Sequence, residues 1–188
     1  SLGGSEMGIS DGGWSRVNLQ YFKPIQCAEK LWVVPSWHDA PDPSAVNIQL
    51  DPGLAFGTGG HATTALCLSW LGQHDIQKKS VIDYGCGSGI LAIAAYKLGA
   101  DELHSVDIDP QALDASRENA RRNDIDPTLL NISLPEDFES EPVDLLIANI
   151  LSGPLVEFAP KFAELVKPGG QILLSGILET QANDIKQA

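Results

Sequence analysis

Three glycines at alternate positions and a carboxylate further along are the residues best suited to chemistry. The glycines stand in Val81-Ile82-Asp83-Tyr84-Gly85-Cys86-Gly87-Ser88-Gly89-Ile90, and the carboxylate is Asp107, twenty-two residues after Gly85. Glycines so spaced let the backbone turn tightly and approach a ligand that a Cβ would exclude. The apolar run from Ile90 reads as a helix, and a helix start presents unpaired N–H groups. Asp107 closes the next strand-like run. A glycine turn after one strand and a carboxylate after the next is the layout of a nucleoside-binding α/β fold. The dinucleotide fingerprint is G-x-G-x-x-G. Position 90 is Ile, so the spacing here is G-x-G-x-G instead. A plain strand–turn–helix connection also explains a lone glycine cluster, so other stretches must decide.

The elements that would position these residues follow in order. Residues 1–13 are rich in glycine and serine and read as a disordered linker. Residues 14–44 read as a small β-like segment and linker, with strands at 17–22 and 31–35 and three of the four tryptophans. Aromatics this dense suit a small hairpin packed on the main domain, or else a substrate face. Residues 45–188 read as the main domain. Val46-Asn47-Ile48-Gln49-Leu50 alternates like a half-buried strand. Residues 51–64 then hold four glycines, three threonines and one histidine, a loop rich in donors. Thr63 or Thr64 is placed to cap the helix that follows, with Leu66, Trp70 and Leu71 on one face.

Beyond the glycine turn, residues 90–98 form an apolar, buried helix stopped by Gly99. Residues 102–108 form a strand. Asp109 and Pro110 open a helix to about Asn123, with Arg117, Arg121 and Arg122 solvated. Residues 130–134 and the near-continuous apolar run 143–150 are further strands. Residues 155–166 form a helix, 167–170 a turn, 171–177 a fifth strand, and 179–188 begin a helix. Strands alternating with helices at this spacing predict an α/β fold with a doubly wound, mostly parallel sheet. Ligands of such sheets bind at the carboxyl ends of the strands. Gly85, Asp107 and Asn149 all fall at such ends.

Composition narrows the partners. A net charge of −13 without a basic run disfavours naked nucleic acid and favours a basic partner, or simply aids solubility. Cys27, Cys67 and Cys86 fit neither a disulfide framework nor a zinc pattern, so a reduced, cytoplasmic setting is expected. No stretch approaches the roughly 20 apolar residues of a membrane span, and no signal peptide is evident.

Several of these stretches resemble one family. The 85–87–89 spacing resembles motif I of S-adenosylmethionine (SAM) dependent methyltransferases. More narrowly, Asp51-Pro52-Gly53-Leu54-Ala55-Phe56-Gly57-Thr58-Gly59, with His61 and Thr63-Thr64, resembles the signature loop of the ribosomal protein L11 methyltransferases (PrmA). So do Asp83-Tyr84-Gly85-Cys86-Gly87-Ser88-Gly89-Ile90-Leu91, Val106-Asp107-Ile108-Asp109-Pro110, Ala148-Asn149-Ile150-Leu151 and Leu174-Ser175-Gly176-Ile177-Leu178. The resemblance implies a Rossmann-like class I methyltransferase. It implies transfer of methyl groups from SAM to lysine side chains and the N-terminal amine of a basic ribosomal protein. Thr64, Gly85, Asp107 and Asn149 are thereby expected to contact SAM, with Phe56, Gly57, Thr58, His61, Gly87 and Ile108 beside it. Asp107 would accept from the ribose hydroxyls, and Asn149, the catalytic residue, would sit beside the reacting methyl. His61 is read first as stabilising its loop, with assistance to the reaction as the alternative. No metal is implied, and a monomer is expected.

The family usually has Thr at position 60 and Pro at position 62, where this chain has Gly60 and Ala62. A floppier loop and weaker cofactor binding are expected from that. Asn149 is followed by Ile150, so the Asn-Pro-Pro-Tyr motif of other N-methyltransferases is absent. The resemblance also implies an N-terminal recognition domain and two more strands after the fifth. A fragment, with its sheet cut short at one edge, is therefore expected. Two alternatives stand beside the enzyme: a catalytically inactive SAM- or nucleotide-binding fragment, and, more distantly, an NAD-dependent oxidoreductase.

Overall fold

A computed structural model describes residues 23–51, 61–148 and 152–174. The elements run β1 (Ile25–Ala28), β2 (Leu31–Val34), β3 (Val46–Gln49), α1 (His61–Gln73), β4 (Ser80–Tyr84), α2 (Ile90–Lys97), β5 (Glu102–Val106), α3 (Pro110–Arg122), β6 (Ile132–Ser133), β7 (Val143–Ala148), α4 (Ser152–Glu164) and β8 (Val166–Leu174). Short 3-10 turns, Pro127–Leu130 and Pro135–Asp137, flank β6.

The main sheet has the order β6-β5-β4-β7-β8. Every pairing in it is parallel. From β4 the chain winds outward through β5 and β6. It then returns to the other flank of β4 for β7 and β8, so the order reverses at β4. Ligands of open α/β sheets bind beyond the carboxyl ends of strands at such a reversal.

Alternation within the strands feeds two cores, one on each face. Val81, Leu103, Leu145 and Ile147 pack with Leu68 and Leu71 of α1, with α2, and with Ala120 of α3. Ile82, Tyr84, Val106, Leu146 and Ala148 pack with Phe162 of α4 on the opposite face. Each fully buried Leu or Ile in these cores contributes about 1.5–3 kcal/mol of apolar transfer. Helix α2 is buried over six successive residues, Ile90 to Ala95, as its all-round apolar sequence requires.

Several expectations are corrected. A strand lies at Ile25–Ala28, antiparallel to β2, where the sequence suggested only a connection. Strand β3 pairs in parallel with β2 instead of joining the main sheet, so the small sheet β1-β2-β3 draws a strand from beyond residue 45. Helix α1 begins at His61, which places Thr64 in the first turn and not at the cap. Its inner face is Thr64, Cys67, Leu68 and Leu71, whereas Leu66 is 69% exposed. The expected turn at 167–170 lies within β8 as an irregularity, with Val143 opposite Val166 and Leu145 opposite Gln171. The expected strand at 17–22 and the helix at 179–188 lie outside the described residues.

Candidate functional site

The site is built on the reversal strand. Gly85, Gly87 and Gly89 all have positive φ, at 84°, 54° and 84°. The turn is tied to the next strand, because the Gly85 and Cys86 N–H groups both donate to the Val106 carbonyl, at 2.7 and 3.0 Å. A Cβ on Gly87 would meet nothing within 4 Å, so this residue faces open space. A Cβ on Gly89 would lie 2.9–3.1 Å from Oγ, Cβ and Cα of Ser116, so here glycine permits close approach of helix α3. The three glycines thus serve different ends.

Asp107 follows β5 directly. Its Oδ2 accepts from the Gly87 N–H at 2.9 Å, and its Oδ1 accepts from the Asp109 N–H at 3.0 Å. One carboxylate therefore clasps the glycine turn and shapes its own turn. Each carboxylate oxygen can accept more than one donor, so the group retains capacity for two vicinal hydroxyls. Ile108, next to it, is 80% exposed, an apolar side chain held out at the sheet's carboxyl edge. Asp109 caps α3 by accepting from the Gln111 N–H, with Pro110 at the first helical position.

Beneath the turn lies Asp83, fully buried. Neither carboxyl oxygen finds a hydrogen-bond partner among the described residues, and nor does Oγ of Ser105, the residue opposite it on β5. Burial pushes the Asp83 carboxyl up to about 7; the nearby Ala92 amide opposes the rise and the Asp107 carboxylate adds to it. Cys86, also buried, is raised by the same loss of hydration and by the Asp83 charge. All three cysteines carry free thiols.

Of the residues expected from the sequence, the structure brings Gly85, Gly87, Asp107 and Ile108 to one edge. Thr64 is buried at the start of α1, and His61 begins that helix. Asn149, Phe56, Gly57 and Thr58 lie outside the described residues. Sequence reasoning gave no role to Asp83, Ser116, Asn119 or Asn123. The last three recur at helical spacing on α3 and its C-cap, away from Arg117 and Arg121; that periodicity is the one signal the sequence holds for them, and their residue types, those of a solvated face, hide it. Among the described residues no cluster of His, Cys, Asp or Glu could hold a metal ion, and no helix is long and apolar enough to cross a membrane. A hollow of about 140 Å³ lies elsewhere, at the amino-terminal edge of the sheet, lined by Trp70, Lys79, Asp144 and Lys167 among others.

A parallel sheet reversing at β4, a glycine turn on that strand and a carboxylate after the next define a Rossmann-like domain of the class I methyltransferase type. The solved structure of a ribosomal protein L11 methylase from Lactobacillus delbrueckii subsp. bulgaricus superposes with a TM-score of 0.75 at 36% identity, covering 88% of this chain and 86% of that one. A precorrin-6y C5,15-methyltransferase from Geobacter metallireducens, 22% identical with a TM-score of 0.53, shares the fold alone. Residues 5–188 match the family model for ribosomal protein L11 methyltransferase (PrmA), and the chain belongs to that family. Ribosomal protein L11 methyltransferases of Azotobacter vinelandii and Marinobacter nauticus are 56% and 54% identical to it over 180 residues, 96% of the chain. The chain spans 62% and 60% of their respective lengths.

Proposed function

We propose that this chain is the SAM-binding core of a cytoplasmic, monomeric protein N-methyltransferase whose substrate is ribosomal protein L11. The observation that carries the reading is the clasp between Asp107 and the Gly87 N–H at the reversal of the sheet. A carboxylate with the chemistry to accept from ribose hydroxyls, beside a turn where a Cβ on Gly87 would meet nothing within 4 Å, supports this reading. Asp107 binds the ribose. Gly85 and Gly87 let the methionine portion approach the backbone, and Ile108 offers an apolar surface to the base. Thr64, His61, Phe56, Gly57 and Thr58 complete the cofactor side. Asn149, next in the chain after Ala148 of β7, orients the incoming amine.

SAM, when bound, supplies a sulfonium methyl that needs no further activation. The protein's task is the nucleophile. A lysine amine with a pKa of about 10.4 is neutral in roughly one molecule in 2,500 at pH 7, a deficit of about 4.6 kcal/mol. Removing water from the amine and accepting a hydrogen bond from it favour the neutral form. Alignment in line with the methyl carries much of the remaining rate.

The test is transfer of labelled methyl from SAM to ribosomal protein L11, alongside calorimetric titration of SAM. Incorporation is expected, and Asp107→Ala weakens SAM binding at least about 100-fold, the loss of two charge-assisted hydrogen bonds. Tight SAM binding without incorporation would leave only a binding module. Unchanged affinity in Asp107→Ala would remove the ribose assignment. Binding of NAD in place of SAM would overturn the reading altogether.

A further inference from the structure

Helix α3 and its C-cap residue carry three buried polar side chains on one stripe, Ser116, Asn119 and Asn123. Each bonds to backbone outside the helix. The Ser116 hydroxyl donates to the Gly87 carbonyl at 2.9 Å, and the Asn119 amide donates to the Ser88 carbonyl at 2.9 Å. Asn123 accepts from the Gln49 N–H at 2.7 Å and donates to the Gln49 carbonyl at 3.0 Å. It also donates to the Asn119 carbonyl at 2.8 Å, which joins the stripe into one chain. At its far end Arg122 lies 3.7 Å from Asp51, whose other oxygen accepts from the Ser36 N–H at 2.9 Å.

We infer that Ser116, Asn119 and Asn123 are positioning residues for the cofactor. They form a polar seam that fixes the glycine turn against the end of β3. The Gly87 peptide unit shows how. Its N–H is held by Asp107 and its C=O by Ser116, so the plane of the peptide is set from both sides. A glycine at φ 54° has little intrinsic preference for that state. The seam supplies the preference, and Gly89 allows the helix to come close enough to do so. A buried asparagine costs stability unless its amide is bonded, and Asn123, the C-cap of α3, meets this by reading both polar groups of one peptide. The inference rests on the proposed SAM site, since it assigns a ligand-facing role to groups that touch no ligand.

Ser116→Ala and Asn119→Ala test it, with Leu113→Ala, a core-facing change on the same helix, as a control for lost stability. The readouts are SAM affinity by calorimetry, well below the melting temperature, and hydrogen exchange at the Gly87 and Gly89 amides without ligand. Both seam variants should weaken SAM binding about tenfold, the effect of one lost hydrogen bond. They should also speed exchange at the turn, with kcat at saturating SAM changing less than the affinity. Leu113→Ala should leave affinity and turn exchange as in the parent. Seam variants with parental affinity and parental turn exchange would overturn the inference. So would a Leu113→Ala protein that loses affinity as much as they do. If the parent chain binds no SAM, the proposed function fails, and turn exchange alone then decides whether the seam orders the turn.

Discussion

Asp144 and Asp83 sit on neighbouring strands of one sheet, near its opposite ends, and their carboxyl groups are treated in opposite ways. Asp144, near the start of β7, accepts from the Ser80 N–H at 2.9 Å, the Ser80 hydroxyl at 3.0 Å and the Lys167 ammonium at 3.4 Å. The Ser80 amide chiefly, with lesser help from the Ser80 hydroxyl and Lys167, holds its carboxyl below the usual range. Asp83, near the end of β4, finds no such partner among the described residues, and burial pushes its carboxyl up to about 7 against the opposing Ala92 amide. The amino-terminal edge is satisfied and serves stability. The carboxyl-terminal edge tolerates an unsatisfied acid beneath a turn of positive-φ residues. Departures of this kind gather where a fold does chemistry, and an acid with a displaced pKa in such a place points to the working end.

The contrast breaks most visibly if Asp83 is replaced by its neutral counterpart. The folded pKa of about 7 lies above the ordinary 3.9, so the folded chain keeps a proton that the unfolded chain releases. Stability therefore falls as pH rises from about 4 to 7, and no further above that. Asp83→Asn removes this penalty. The expected gain is roughly 1–3 kcal/mol larger at pH 8 than at pH 5, where only the first part of that fall has taken place. Urea denaturation of both proteins at the two pH values measures it. An equal difference at pH 5 and pH 8 would show that the acid is not held neutral.

The glycines sharpen the same contrast at closer range. Gly89→Ala meets both a positive φ and the fixed backbone of α3 at Ser116, and should destabilise by about 2–4 kcal/mol. Gly87→Ala meets a positive φ but no neighbour, and should destabilise by about 1–2 kcal/mol. Its methyl group projects into the space proposed for the cofactor, so SAM affinity should fall further than stability does. Melting curves and SAM titrations of the two variants separate packing from ligand approach. Equal losses of affinity would merge the two roles.

Much of this architecture was legible from local pattern. The strands β4, β5 and β7 and the helices α2 and α3 announced themselves by apolar runs, by Gly99, and by Asp109 with Pro110. The order of types along the chain then implied a parallel sheet and its working edge. What escaped was non-local. Ile25–Ala28 has no strand pattern of its own and exists by pairing with β2, which is the general weakness of strand propensity. Val46–Gln49 alternates as a strand should, but alternation does not say which sheet it joins. Ser116, Asn119 and Asn123 have the types expected of a solvated face. Their partners lie 29, 31 and 74 residues away, and only the fold turns them inward. Asp83 belongs to the most conspicuous motif in the chain, yet its state depends on burial under α2 and not on its neighbours in sequence.

Asp144→Ala carries the smallest effect and has the opposite sign with pH. The change removes three acceptor contacts at the joint of β4, β7 and β8, partly compensated by water because the group lies near the surface. A cost of roughly 1–2 kcal/mol is expected at neutral pH. The Asp144 pKa is lowered in the folded chain, so its contribution is complete above the ordinary carboxylate range. It disappears as the pH falls through the folded value. The difference between parent and variant should therefore stay flat from pH 8 to pH 5 and shrink on further acidification, whereas that of Asp83→Asn grows between pH 5 and pH 8. SAM affinity should not change, since Asp144 lies at the far end of the strands. Loss of SAM binding in Asp144→Ala would mean that the two edges are coupled through β4, and the division of labour between them would no longer hold.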